Sequence, residues 1–504
     1  MRVSSAARVA LAASLTLVPV VPLVHARDAF DREDAFRRSF SRAFDSAGRK
    51  VVIDGAISEL TIERSADSSV RVDAELLFWS NVESYREQVE REFDVRTQET
   101  AEAITIGVEL PDFDGRRRGN IELRYEVTMT VTVPRGTPLD VSNRYGGVRV
   151  AGVDGPTRIV NNSGAIELTG AAGDVRLESR YGEILVTDVD GNLYANGSSG
   201  TLEVRGVTGD AELGNQYADI VAEQIGGRLS AQTSSGGVRV AGIGGDARIV
   251  ASYADVEAAD VGGRLDVDAS SGAVRVRDVK LGARLRSSYA GVEAERIGGD
   301  AEIVASSGTA RVIDVGGKLD LRGSYGDVAV RGTGGPATIE VDSGSVTAEK
   351  VGGSLEIDSS YGTVRVRGVR GSLRVKSDST GVLAAEIAGA VEIETSYAGV
   401  EIDGAGGAIE VNNESGEVIV GGLTGDALSA EHRVRTTYAD VRFHWPADRG
   451  ASYALESGYG SVTCELPGKR TTSGSRSKFE GRSGDGTARI SLTAESGSVW
   501  LRGE

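Results

Sequence analysis

Through the middle of this chain, apolar and β-branched side chains keep fixed places in an 18-residue frame. With Tyr145 as position 1, positions 4, 6, 9, 13 and 15 are Val148, Val150, Val153, Thr157 and Ile159; in a later unit they are Val256, Ala258, Val261, Leu265 and Val267. Positions 4 and 6, and again 13 and 15, have the period of two that sets strand side chains on one face. Each unit is therefore expected to be two short strands separated by turns. Glycine pairs at positions 10 and 11, such as Gly226-Gly227, Gly244-Gly245 and Gly262-Gly263, mark one turn. Positive φ is the expected reason for glycine there.

Two kinds of unit alternate. Position 1 is Tyr145, Tyr181, Tyr217, Tyr253, Tyr289, Tyr325, Tyr361 and Tyr397 in one kind, and a serine such as Ser163, Ser199 or Ser235 in the other, closing at Ser415. Repeated antiparallel hairpins would also give a fixed period. Identical strands recurring in the same order, however, stack most simply as parallel ladders, coil upon coil. The expectation is an all-β fold, a right-handed parallel β-helix (β-solenoid) with 18-residue coils. Fifteen coils at a ladder spacing of about 4.8 Å would make a rod roughly 70 Å long.

The flanks depart from this frame. Residues 1–26 read as a signal peptide: Arg2 and Arg8, an apolar stretch from Val9 to Val24, and a small-x-small end at Ala26. Residues 27–50 carry Phe30, Phe36, Phe40 and Phe44; the last three are four apart, which predicts an amphipathic helix or a disordered segment. Residues 51–141 read as a β-rich capping region, with a helix expected from a cap at Asn81 to about Phe93 and an exposed loop at Asp114–Asn120. The regular solenoid is expected over 142–432. An irregular β region and cap follows over 433–504, with echoes at Tyr459-Gly460 and Ser496-Gly497, a polar loop at Lys469–Gly486, and Phe443, Trp445, Phe479 and Trp500 as an end plug.

Glycine is abundant (68 of 504 residues) and aromatics make up 5%, a mixture that suits many short strands and tight turns. The net charge of −18 becomes −20 if the leader, with its two arginines, is removed. That balance disfavours nucleic acid and anionic lipid as partners. No other stretch has the length of apolar sequence needed to span a bilayer as a helix, so periplasmic or extracellular export without an anchor is expected. The single cysteine, Cys464, excludes an internal disulfide framework.

Outward positions carry charge. At position 5, Arg239, Glu257, Arg275, Glu293 and Arg311 alternate in sign, which predicts pairing between successive coils. Enzymes need a concave site, and coils of one length offer none, so no catalytic residues, cofactor or metal are expected. The exception to weigh is the irregular stretch with His432, His444, Glu431, Asp440 and Asp448; a surface position is the plain expectation for both histidines. The Gly-Gly-Asp turns at Gly244-Gly245-Asp246 and Gly298-Gly299-Asp300 lack the second motif of a calcium roll. Parity counted back from positions 13 and 15 turns position 1 inward, so the tyrosines are expected to fill a corner of each second coil. Exposed rings would instead form an aromatic track suited to sugar rings.

The run Ser360-Tyr361-Gly362-Thr363-Val364-Arg365-Val366, followed by Val-Gly-Gly-x-Leu elements, resembles a widespread bacterial family of exported β-strand-repeat proteins of unknown function that often carry an adhesin label. The likeness covers roughly Val51 to Glu504 and brings no catalytic residues with it. It implies a non-enzymatic adhesive or scaffolding element of the cell envelope, with a surface glycan, an envelope protein or another copy of itself as partner. The alternatives are a polysaccharide-acting enzyme with its site near 431–448, and a self-assembling filament.

Overall fold

The computed structural model describes residues 35–109 and 122–504. The expected leader, Phe30 and the Asp114–Asn120 loop lie outside these residues. The rest is a parallel β-solenoid. Each coil contributes two strands, and each strand pairs in parallel with its counterpart 18 residues away: Val148 with Ile166, Ile166 with Ile184, Thr157 with Val175. Fifteen consecutive 18-residue steps separate Leu139 from Ile409 along one ladder. Positions 4, 6, 9, 13 and 15 point inward and are buried almost throughout, forming one continuous aliphatic core. The fold class and the coil length follow the hydrophobic frame as expected.

Glycine serves a different purpose from the one expected. Positive φ recurs at position 8, a place that glycines such as Gly242 (φ 70°) share with Asp188, Gln224, Asp260, Asp278, Arg296, Asp314, Lys350 and Glu386, these eight all between 55° and 58°. The Gly-Gly pairs at positions 10 and 11 are not left-handed. They are glycine because backbones of successive coils nearly touch: a Cβ on Gly245 would lie 2.8 Å from the carbonyl oxygen of Gly227.

Both ends depart from chain order in the same way. At the start, the coil made of Lys50–Gly55 and Glu59–Arg64 lies between the first regular coil and a coil made of Ala103–Glu109 and Leu123–Val133. At the finish, the last strands, Ala488–Ala494 and Val499–Gly503, insert between Glu431–Thr436 with Val441–Trp445 and Ala451–Ser457 with Val462–Cys464. The first and the last coil of the chain are thus each one layer in from the end. Antiparallel strands close the outer edges: Asp94–Glu99, Ser69–Ser80 and Phe36–Asp45 at one end, Arg476–Ser483 and Gly468–Ser473 at the other. The solenoid therefore extends beyond 142–432 in both directions.

Several flanking expectations are corrected. Phe36, Phe40 and Phe44 lie on a strand, Phe36–Asp45, and not on a helix. A spacing of four keeps residues on one face of either element, and the partner strand Ser69–Ser80 decides. The polar Lys469–Gly486 segment is a hairpin whose outer strand is wholly exposed, so it has no apolar face to reveal it. The helix forms as Glu83–Glu92, with Val82 as its N-cap residue; the Asn81 side chain instead accepts the Glu122 backbone N–H at 3.0 Å. Phe443, Trp445 and Phe479 are buried in the end plug, whereas Trp500 faces outward with the Arg442 guanidinium 5.5 Å from its ring.

Candidate functional site

The corner of the coil formed by positions 17, 18, 1 and 2 carries the tyrosines, and their rings point out. Tyr145, Tyr181, Tyr217, Tyr253, Tyr289, Tyr325, Tyr361 and Tyr397 are 54–74% exposed. This corrects the corner-filling expectation. Strand parity holds through position 17 and then stops at the bend, so positions 18 and 1 both turn away from the core. Position 17 fills the inner corner instead with mostly small side chains, and its asparagines satisfy turn carbonyls. Asn161 Nδ2 donates to the carbonyls of Gly146 and Gly164 at 2.9 and 2.8 Å, and Asn413 Nδ2 donates to those of Ala398 and Gly416 at 3.1 and 2.7 Å. Polar Asn143, Asn161, Ser179 and Asn215 at an inward parity are the sequence signal for this bend.

The tyrosine series also continues past the point where the sequence period breaks. Tyr438 N–H donates to Glu414 O (2.7 Å), Ser496 N–H to Thr437 O (2.8 Å) and Tyr459 N–H to Glu495 O (2.9 Å), the same bond that joins position 1 of one regular coil to position 18 of the coil before it. In space the order is Ser415, Tyr438, Ser496, Tyr459. The alternation survives although the chain visits Tyr459 before Ser496. Tyr438 and Tyr459 are 70% and 78% exposed, bringing the edge to ten outward rings.

Charged faces flank this edge. Arg239 and Glu257 pair at 3.1 Å, Arg275 reaches Glu257 at 3.8 Å and Asp255 at 3.4 Å, and Arg311 reaches Glu293 at 3.7 Å, as the alternation at position 5 requires. The aspartates of the turns act between coils. Asp246 Oδ1 accepts the Arg264 backbone N–H and Asp300 Oδ1 that of Lys318, each at 2.8 Å; at position 3, Asp255 Oδ1 accepts the Ala273 N–H at 2.9 Å. In the Gly-Gly-Asp turns the carboxylate is thus a cap for the next coil. Where the next residue is also cationic, as Arg228 above Asp210, the backbone N–H and the guanidinium hold that carboxyl below the usual carboxylate range.

An open groove of about 1620 Å³ runs along positions 12 and 14 from Lys50 to Asp320. Its charges are spent on one another: Lys50 and Arg158 both on Asp140 (2.6 and 3.2 Å), Arg228 on Asp210 (2.8 Å), Arg248 on Asp266 (3.3 Å). In the irregular stretch the acids do not converge. Glu431 pairs with Arg433 at 2.7 Å, Asp440 accepts the Ser498 N–H at 2.8 Å, and Asp448 lies 3.7 Å from Arg449. His432 is not a surface residue. It is fully buried, bonded through Nε2 to Ala427 O at 2.7 Å, with the rings of Phe443 and Trp445 at 5.6 and 6.0 Å, and burial holds its pKa down. His444 Nδ1 lies 2.6 Å from Glu504 Oε1. Cys464 is half-buried, and burial pushes its thiol up. Among the described residues no group of three or more His, Cys, Asp or Glu side chains is placed to hold a metal ion.

Residues 49–296 match the family model described as Toastrack DUF4097, a family of unknown function whose domain is a solenoid. That stretch is similar to a Toastrack domain. Coils of the same 18-residue length run on beyond residue 296, to the strand Ile409–Asn413. No curated protein matches the chain. Among solved structures, a candidate cell adhesion protein from Clostridium sporogenes aligns over 93% of this chain and 100% of its own, at 8% identity and a TM-score of 0.15, too low to carry an argument. Among the described residues no helix is long and apolar enough to cross a membrane.

Proposed function

We propose that this protein, with its Toastrack-like coils, is a non-enzymatic, exported β-solenoid that works as an adhesive or scaffolding element of the bacterial envelope, in the periplasm or outside the cell. The tyrosine edge is its contact surface. The observation that carries the reading is the row of ten outward rings repeated along one edge of a uniform stack. Large aromatic side chains left in water along a line cost hydrophobic burial that a solitary scaffold would recover, and exposed apolar rows of this kind mark interaction surfaces. The charged faces offer no comparable surface, because many of their ions are paired with one another. Self-assembly end to end is less well supported, since both ends finish in antiparallel strands that carry Arg37, Arg38 and Arg42 on one and Lys469 and Arg470 on the other, the charge pattern that discourages edge pairing.

The test is binding of the purified chain to envelope fractions, comparing the native protein with a variant in which Tyr217, Tyr253, Tyr289 and Tyr325 are replaced by serine. Serine occupies the same corner in alternate coils, so the variant keeps the fold, which its melting curve checks. Binding that falls in the variant supports the reading. Native binding unaffected by the four substitutions, or no binding to any fraction, removes the edge as the contact surface.

A further inference from the structure

We infer that the tyrosine edge binds an uncharged β-linked glycan whose repeat is two sugar rings, a ligand class that rests on the edge being the contact surface. Three observations carry it, beginning with the spacing of the rings. Successive tyrosines stand two coils apart, roughly 9.5 Å. Aromatic residues on adjacent coils would lie about 4.8 Å apart and stack on one another as ladders do in cross-β assemblies. That arrangement would bury their faces and stabilise the stack. The chain instead interposes a small residue at every second corner, even where Ser496 is threaded between Tyr438 and Tyr459 out of chain order. Each ring thereby stays accessible, from 54% at Tyr145 to 78% at Tyr459.

The charge of the edge narrows the ligand. From Ser198 to Gly326, positions 18, 1 and 2 of eight successive coils make 24 positions and hold no charged side chain, where the chain average of 26% predicts about six. A polyanion would meet no cation there and would be repelled by a chain of net charge −18. A polycation would meet no carboxylate at these 24 positions. A neutral polymer is the ligand that suffers neither cost.

The chemistry of the corner completes the argument. Position 18 is serine at Ser234, Ser252, Ser270, Ser288, Ser306 and Ser324, so hydroxyls run beside the rings along the same edge. A pyranose offers an apolar C–H face and a rim of hydroxyls, which suits an aromatic ring flanked by hydroxyl donors and acceptors. In an extended β-1,4 chain each ring advances by about one strand spacing, and alternate rings are turned over. Every second sugar then presents the same face, in step with every second coil. The serine coils meet the inverted rings between.

Calorimetric titration of the full chain with β-1,4-linked hexasaccharides of glucose and of N-acetylglucosamine tests this, with maltohexaose, hexagalacturonate and a proline-rich peptide as comparators. Binding is expected for at least one β-linked neutral hexasaccharide, weakened between about two- and tenfold for each ring removed from its footprint. A swap variant, Tyr253→Ser with Ser271→Tyr, keeps composition and charge but moves one ring by one coil. It should weaken binding as much as Tyr253→Ser alone. Swap binding as tight as native refutes the two-ring repeat while leaving the edge as a contact surface. Failure of both β-linked sugars, or tighter tyrosine-dependent binding of any comparator, overturns the ligand class. A quadruple tyrosine variant that binds like native overturns the edge itself.

Discussion

Replacing Gly245 by alanine tests why the turn glycines are there. The added Cβ would stand 2.8 Å from Gly227 O, 2.9 Å from Gly227 C and 3.1 Å from Arg228 N, all backbone atoms of the preceding coil. Relief requires the two coils to part locally by about half an ångström, since ordinary contacts begin near 3.4 Å. Two ladder bonds run through this point, Gly245 N–H to Gly227 O at 2.9 Å and Gly263 N–H to Gly245 O at 3.0 Å. Stretching the first to about 3.4 Å brings it to the limit of a useful hydrogen bond, at a cost of about 1 kcal/mol. Overpacking strain adds about 1–3 kcal/mol, and the lower unfolded-state entropy of alanine returns about 0.4–1 kcal/mol. The net local loss is about 2 kcal/mol, or roughly thirtyfold faster exchange of the surrounding amides. Hydrogen exchange is the assay to use, because a solenoid loses stability coil by coil and a single global midpoint would dilute the effect. Gly381→Ala is the control: its Cβ would meet nothing nearer than Gly399 O at 3.9 Å, and its amides should be unaffected or slightly slower. Equal exchange in the two variants would refute close stacking as the reason for the glycine pairs.

Three further outcomes are expected. At position 8, Asp260→Gly should stabilise by about 0.5–1 kcal/mol, because a left-handed aspartate (φ 55°) is relieved. Asp278→Gly should gain less or lose, because Asp278 also holds Arg296 at 2.6 and 2.8 Å, and urea melts of the two variants would show the difference. His432 has its folded pKa pushed below its unfolded value near 6.5. The unfolded state therefore binds the extra proton, and the C-terminal cap should weaken as pH falls below 6.5 until the folded pKa is reached, by up to about 2 kcal/mol at pH 5. His432→Leu should abolish that dependence in the exchange of residues 431–503, and an unchanged slope would contradict it. Deleting 487–504 removes the layer beneath the outer coil, so Ala451–Ser457 and Val462–Cys464 should lose protection while strands from Leu139 to Asn413 keep theirs; intact protection at 451–464 would contradict the observed layer order.

The fold was legible because the inward positions of the coil repeat with little interruption from Val148 to Val411, and a period of two inside a period of 18 leaves little choice of architecture. What was illegible lay where geometry departs from strand parity or chain order. The outward turn of Tyr253 depends on a bend that no periodicity records, and the useful clue was Asn161 or Asn215, a polar residue at an inward place. The glycine pairs were visible, but their reason was not, because close approach between coils is a property of stacking and positive φ is a property of one residue. At the ends, the period fails in sequence and continues in space. Strands 50–64 and 488–503 keep the coil geometry, yet each is inserted beside a partner distant in the chain, so counting along the sequence loses the frame.

That insertion separates two explanations of the tyrosine pattern. Had alternation arisen only from duplication of a 36-residue unit, it would hold along the chain and break wherever chain order and stacking order part. At the C-terminal end they part, and the alternation follows stacking: Tyr438, Ser496, Tyr459. Sterics alone do not require this. Glycine or alanine follows position 1 in all three coils, as Ala439, Gly497 and Gly460, and Tyr181-Gly182 and Tyr253-Ala254 show that tyrosine is compatible with either neighbour. A tyrosine at 496 would fit the corner and would gain stacking on both sides, worth about 0.5–1.5 kcal/mol for each ring pair. The protein forgoes that gain at the one place where history does not enforce the pattern, so the spacing of accessible rings along the edge, rather than repetition of the sequence, is the property the chain preserves.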